Sequence, residues 1–361
     1  MTDLLADVRG RTALDRVSSL PGLAAVGREA GDAFGGVLAT VGNTPLIELN
    51  RVAPGLDARV FAKLEQFNPG GSVKDRSALS MLRDAIASGD LVPGRSVVVE
   101  SSSGNLGVGL AQVCGYVGLR FVCVVDGKTN RQTLAILRAY GAEVEVVTEP
   151  DPRTGEYLPS RLARVRELLA TVPHAFWPNQ YANPLNPRAH ERTMHEIANA
   201  MNGRVDYLFC AVGSFGTLRG CARYIADNGM NTRIVGVDAI GSVIFDGQHV
   251  QPRHIPGHGA SVRPELYEAD AAHHVIHVSD LDCVAACRRL AATEAVLAGG
   301  SSGATVAALA RFADRVPPGS HCVLIFPDAG DRYLDTIYSD SWVTERFGAV
   351  PGWEEQEPDR C

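Results

Sequence analysis

Only three of the chain's 34 basic residues are lysines, Lys63, Lys74 and Lys128, so side-chain amine chemistry has few possible seats. Lys74 falls in the segment Asn68-Pro69-Gly70-Gly71-Ser72-Val73-Lys74-Asp75-Arg76. A Pro-Gly-Gly turn and a serine able to cap a helix precede it, and the helical pattern Arg76-Ser77-Ala78-Leu79-Ser80-Met81-Leu82 follows. A lysine in the first turn of a helix faces the positive end of the helix dipole, where the ammonium form is disfavoured. The freed amine is suited to forming a Schiff base. The ordinary alternative is a surface lysine, and the loops downstream weigh against it.

The first of those loops is Ser101-Ser102-Ser103-Gly104-Asn105-Leu106-Gly107, after the apolar run Val97-Val98-Val99 and before Val108-Gly109-Leu110-Ala111. Strand, hydroxyl-rich turn and helix in that order make an anion site from hydroxyls and successive amides, well suited to a carboxylate. A plain capped helix start is the competing reading. The second is Gly213-Ser214-Phe215-Gly216-Thr217, between the β-rich run Tyr207-Leu208-Phe209-Cys210-Ala211-Val212 and the helical Leu218-Arg219-Gly220-Cys221. Such a turn cradles phosphate, and it has neither the Gly-Lys-Ser/Thr ending of a Walker loop nor the spacing of a dinucleotide fingerprint. The third, Gly299-Gly300-Ser301-Ser302-Gly303-Ala304, opens an alanine-rich helix and would by itself be read as a cap.

Taken in order, these four segments resemble the fold-type II pyridoxal-phosphate enzymes, and among them the cysteine synthase group. The resemblance runs from Val41-Gly42-Asn43-Thr44-Pro45-Leu46 to Pro327-Asp328-Ala329-Gly330-Asp331-Arg332-Tyr333-Leu334. It implies a pyridoxal 5′-phosphate cofactor carried by Lys74, with Asn105 bonding its 3′-oxygen and Gly213, Ser214, Phe215, Gly216 and Thr217 holding its phosphate. Ser301 would face the pyridine nitrogen. Ser102, Ser103, Asn105 and Gln180 would hold the substrate α-carboxylate. A serine cannot fully protonate the pyridine nitrogen as an aspartate would, which weakens the electron sink and suits β-elimination followed by addition. Lys74, once released from the cofactor, would take the α-proton as general base. The implied reaction is a β-replacement on an activated L-serine.

Ordinary cysteine synthases tend to show Thr-Ser-Gly-Asn-Thr-Gly and Gly-Thr-Gly-Gly-Thr at the first two loops. This chain has Leu106 in place of the second Thr, and Ser214-Phe215 in place of Thr-Gly. It also carries Gly155-Glu156-Tyr157-Leu158-Pro159-Ser160-Arg161, and later Arg253-His254-Ile255-Pro256-Gly257-His258-Gly259-Ala260-Ser261. These details resemble the subgroup that makes N-(2-amino-2-carboxyethyl)-L-glutamate from O-phospho-L-serine and L-glutamate, toward 2,3-diaminopropionate for siderophores or peptide antibiotics. A phosphorylated donor and a dicarboxylate acceptor both need cationic or N–H-rich pockets, because unpaired anions are costly to desolvate. Arg161 is the first candidate for such a contact, with Ser214 and Tyr181 adding hydrogen bonds. A solvated helix arginine is the alternative for Arg161. At the level of function the alternatives are a cysteine synthase using O-acetylserine or O-phosphoserine with sulfide, an ammonia-lyase or racemase, and a cofactor-loaded binding partner.

A chain of 361 residues, 45% apolar, can bury a large core and exceeds the usual size of one domain. Its net charge of −7 argues against nucleic acid. No run approaches the roughly 18 apolar residues of a membrane span. Met1-Thr2-Asp3-Leu4-Leu5-Ala6-Asp7 has neither the basic start nor the apolar core of a secretory leader, so a cytoplasmic enzyme is expected. The eight cysteines form no Cys-x-x-Cys and read as reduced core thiols; no metal is expected.

Alternating strand and helix patterns predict an α/β protein with parallel-rich sheets covered by helices. The expected division is an N-terminal extension over 1–36, a large cofactor-binding domain from 37–79 plus 186–345, a small mobile domain over 80–185, and a tail over 346–361. The cofactor would lie in the cleft between the domains, and the small one would close over the donor. A two-fold homodimer is the family expectation.

Overall fold

The computed structural model describes residues 35–152, 155–245 and 250–348. Nearly all of the expected N-terminal extension, and the tail beyond residue 348, lie outside the described residues. The strands are β1 (Leu46–Leu49), β2 (Ala58–Leu64), β3 (Val97–Ser101), β4 (Arg120–Asp126) and β5 (Glu143–Val147). They continue with β6 (Ala175–Phe176), β7 (Tyr207–Ala211), β8 (Arg233–Ala239), β9 (His274–Val278) and β10 (Ser320–Phe326). The α-helices are α1 (Lys74–Ser88), α2 (Asn105–Val117), α3 (Arg131–Ala139), α4 (Tyr157–Thr171) and α5 (Leu185–Ala200). After them come α6 (Gly216–Asp227), α7 (Asp280–Glu294), α8 (Gly300–Phe312) and α9 (Asp340–Phe347).

Contacts divide the chain into two compact units. One is Lys74–Asn179 with the described residues before Gly42; the other is Gly42–Val73 with Gln180 onward. The first unit is built on a parallel sheet in the order β5-β4-β3-β6. Its central strand β3 is buried at all five positions, as a β-branched run covered on both faces should be. Val97, Val99, Val122, Val124, Val165 and Leu168 join the sheet to α4 in one apolar cluster. Local signals set the helix ends. The Asn130 side chain accepts the Gln132 amide at 2.7 Å to start α3. Gly141, at φ 82°, donates to the Arg138 carbonyl to end it, a helix stop that glycine favours.

The second unit holds a six-stranded sheet in the order β1-β2-β10-β7-β8-β9, parallel except where β1 meets β2. Strict alternation sorts its side chains. Tyr207, Phe209, Val235, Val237, Cys322, Leu324 and Phe326 face a core shared with α7 and α8. Leu208, Cys210, Ile234, Val323 and Ile325 face another, shared with α5 and α6. The seven described cysteines are buried, and burial with the nearby Glu100 pushes the Cys123 thiol up to about 12. They fill core volume.

Helices α5 and α6 approach through Gly220, where an added Cβ would stand 2.1 Å from the Pro187 carbonyl oxygen and 2.7 Å from His190 Cβ. The obstructing atoms include backbone, so the helices would have to separate. Gly220→Ala is expected to lower unfolding free energy by about 1–3 kcal/mol in chemical denaturation, despite its better helix propensity. An unchanged midpoint would show that this helix pair tolerates separation.

Candidate active site

The turn after β10 ties together two of the segments singled out from the sequence. The Val73 amide donates to the Pro327 carbonyl at 2.7 Å, and Ser72 bridges Asp328. The Gly299 amide donates to the Asp328 carbonyl at 3.0 Å, and Ala298 bridges Ala329. Arg332 reaches from the same stretch to the Gly70 carbonyl. So Pro327 to Arg332 anchors the glycine turn before Lys74 and the turn that opens α8. Lys74 follows directly as the first residue of α1, half-buried, at the dipole position expected from the sequence. Ser301 lies in the first turn of α8, which contains no acidic residue.

The loop Gly213 to Thr217 links β7 to α6. Phe215 caps the helix at φ 69°, a left-handed conformation that costs a non-glycine residue about 1–2 kcal/mol. Its ring offsets this by packing at 5.7 Å from Phe245 and 5.1 Å from Tyr267. The phenylalanine that departs from the usual glycine therefore belongs, by its side chain, to the core; only its backbone serves the loop. The loop is tightly backed. A Cβ on Gly213 would stand 2.6 Å from the Gly257 carbonyl oxygen, and one on Gly216 2.2 Å from Asn186 Oδ1. The Gly259 amide donates to the Val212 carbonyl at 2.7 Å, so the 257–259 turn braces the loop from behind. First-turn amides, the Ser214 and Thr217 hydroxyls and the absence of acid from that turn make a donor set that fits a phosphate.

Asn186, fully buried, was not apparent from the sequence as a site residue. Its Nδ2 donates to the Gln180 carbonyl at 2.8 Å and to Ser214 Oγ at 3.3 Å. It thereby joins the Gln180 segment to the 213–217 loop. Tyr181 is fixed through its backbone, whose carbonyl accepts the Leu266 amide at 3.1 Å. His258, in the bracing turn, is buried with neither ring nitrogen hydrogen-bonded; burial, then Arg253 and His277, push its pKa down to about 3.

In the other unit, Asn105 is the first residue of α2. Helices α1 and α2 meet closely, since a Cβ on Gly109 would lie 3.1 Å from Ala78 Cβ and 3.3 Å from the Lys74 carbonyl oxygen. The beginnings of these two helices, bearing Lys74 and Asn105, are thus neighbours. Ser102 is buried and caps the turn, its Oγ accepting the Gly107 amide at 2.9 Å. Ser103 donates to Asp126 Oδ2 at 3.1 Å and accepts from Arg161 Nη1. Arg161, from α4, also pairs with Asp126 across 3.4 Å. The expected alternative of a solvated arginine does not describe it: 13% of its side chain is exposed, and it is locked to the serine loop. Asp126 is the second residue missed; as the last residue of a strand, nothing in its local pattern marked it.

A family model for pyridoxal-phosphate dependent enzymes matches residues 37–328. N-(2-amino-2-carboxyethyl)-L-glutamate synthase of Cupriavidus metallidurans is 47% identical over 312 residues, spanning 85% of this chain and 90% of its own. The protein of the same name from Ralstonia nicotianae is 46% identical over 304 residues, spanning 84% and 89%. The crystal structure of O-ureido-L-serine synthase superimposes with a TM-score of 0.79 at 33% identity, covering 87% of this chain and 100% of that one. With the hydroxyl-and-amide loop at Gly213 to Thr217 and Lys74 heading its helix, the chain belongs to the pyridoxal-phosphate-dependent enzymes of fold type II, with pyridoxal 5′-phosphate as its cofactor.

Proposed function

We propose that this enzyme joins L-glutamate to the β-carbon of O-phospho-L-serine, giving N-(2-amino-2-carboxyethyl)-L-glutamate and phosphate. The Cβ–oxygen bond to phosphate breaks, and a bond from Cβ to the glutamate nitrogen forms. The 47% identity to the Cupriavidus synthase over 85% of the chain carries this reading. The link between Arg161 and the serine loop supports it, because it brings a guanidinium to the loop read as the carboxylate site.

The bound cofactor supplies an electron sink that acidifies the α-proton of an amino acid. Lys74 carries the cofactor and moves that proton. Gly213 to Thr217 would hold the cofactor's phosphate by amides and hydroxyls, Asn105 would bond its 3′-oxygen, and Ser301 would offer its ring nitrogen a neutral partner. Ser102, Asn105 and Gln180 orient the substrate α-carboxylate. Arg161, with Tyr181 and Ser214, reads the donor's further anionic group. Residues 80–185 act as the mobile domain that excludes water. The same reading has a cytoplasmic homodimer whose product leads to 2,3-diaminopropionate for siderophore or peptide-antibiotic synthesis.

In cofactor-loaded protein, O-phosphoserine and glutamate together are expected to release phosphate and yield the adduct by mass spectrometry. Faster turnover of sulfide than of glutamate would overturn the acceptor in favour of a cysteine synthase. Lys74→Ala is expected to lose at least about 10²–10⁴-fold in turnover and the near-visible band of the lysine-bound cofactor. If that band survives, another amine carries the cofactor. Gly213→Ala, by pushing on the Gly257 carbonyl, is expected to weaken cofactor binding roughly tenfold while the fold persists. Fluorescence titration of the stripped protein would measure it, and unaltered affinity would exclude this loop as the phosphate site.

A further inference from the structure

We infer that Asp126 is a positioning residue: it sets the pose in which Arg161 reads the donor's anionic group. This rests on the function proposed above and concerns the same site.

Asp126 ends β4, with 9% of its side chain exposed. Its carboxylate is held from two sides. Oδ1 accepts the Lys128 amide at 2.9 Å, and the Asp126 amide in turn donates to Thr129 Oγ1 at 3.3 Å, closing a tight turn around it. Oδ2 accepts the Ser103 hydroxyl at 3.1 Å and lies 3.4 Å from Arg161 Nε. That nitrogen makes no hydrogen bond, so its link to the carboxylate is electrostatic alone. The aligned contact of Arg161 is instead the one from Nη1 to Ser103 Oγ.

The polarity of this triangle decides what each member can do. A serine hydroxyl carries one hydrogen. Ser103 gives it to Asp126, so its oxygen faces Arg161 as an acceptor. While that arrangement holds, Ser103 has no proton for a substrate carboxylate. Its part is to brace the guanidinium, and the α-carboxylate falls to Ser102, Asn105 and Gln180. Arg161 keeps further N–H groups beyond those turned to Ser103 and Asp126, arranged in the fork that matches a phosphate or carboxylate. Without the Asp126 charge, a guanidinium only 13% exposed would lose its ionic partner and turn toward water. The fork would then have no fixed direction.

The test uses the full cofactor-loaded chain with Asp126→Asn, Arg161→Gln and the double variant. Half-saturation by O-phosphoserine is read from the cofactor's absorbance, and turnover with glutamate is read from phosphate release. Asp126→Asn is expected to raise half-saturation about tenfold, with kcat within about threefold of the parent, because a charge-assisted contact is lost in binding. On the Arg161→Gln background the same substitution is expected to change half-saturation less than about twofold, the mark of two residues acting through one contact. A merely structural aspartate would shift both backgrounds alike and lower kcat with KM; that result overturns the proposal. Half-saturation unmoved by Asp126→Asn, in a parent that converts O-phosphoserine, overturns it as well. A parent that does not respond to O-phosphoserine removes the functional reading, and this inference with it.

Discussion

The parallel pairing of β10 with both β2 and β7 is the constraint on which the placement of the candidate-site loops of the larger sheet rests. All seven residues of β10 are buried, so the strand cannot slip without turning one face of side chains into the other core. Parallel neighbours end on the same edge. The glycine turn leading to Lys74 leaves from beyond β2, the 213–217 loop leaves from β7, and the Pro327–Arg332 stretch leaves from β10. Three chain segments far apart in sequence therefore emerge side by side, at the carboxyl ends where open α/β sheets place their ligands. The hydrogen bonds from Val73 to Pro327 and from Gly299 to Asp328 then tie the glycine turn and the turn that opens α8 to the last of these segments.

What could be read from the sequence was what is local. Lys74 heading a helix, the strand-turn-helix loops and the Gly141 helix end each depend on a few consecutive residues, and the structure puts these elements where the patterns require. The parallel sheets followed from apolar strands alternating with helices. Other members of the site depend on which distant residues meet. Asn186 meets Ser214 across 28 residues, and Arg161 meets Ser103 across 58. No window of sequence contains both partners, so Asn186 and Asp126 were unmarked. Phe215 shows the reverse case: its neighbours place its backbone in the loop, while its side chain joins an aromatic cluster that only the fold creates.

The two loops proposed to bind anions differ in how they manage charge. The 213–217 loop works with neutral donors, and no carboxylate stands in the turn it opens. The Ser103 loop instead borders a carboxylate, Asp126, which is matched by Arg161. A neutral cradle suits a group that stays bound through many turnovers. A balanced ion pair suits one that must arrive and leave, because binding a dianion there trades one set of charge contacts for another and departure restores the first.

The scarcity of lysine has a consequence for handling the protein. Lys63 is sealed, 2% exposed and bonded to Glu196 at 2.8 Å and to the Thr44 carbonyl at 2.6 Å. Lys128 is exposed, its ammonium 5.3 Å over the Tyr157 ring. Aldehydes condense with accessible amines without much discrimination, and proteins rich in surface lysine bind stray cofactor that clouds their spectra. Here Lys128 is the one side-chain amine, besides Lys74, open to such adducts. A Lys128→Arg variant would therefore give a nearly background-free optical and mass-spectrometric label of the remaining site, and reductive trapping would stamp it on a single tryptic peptide.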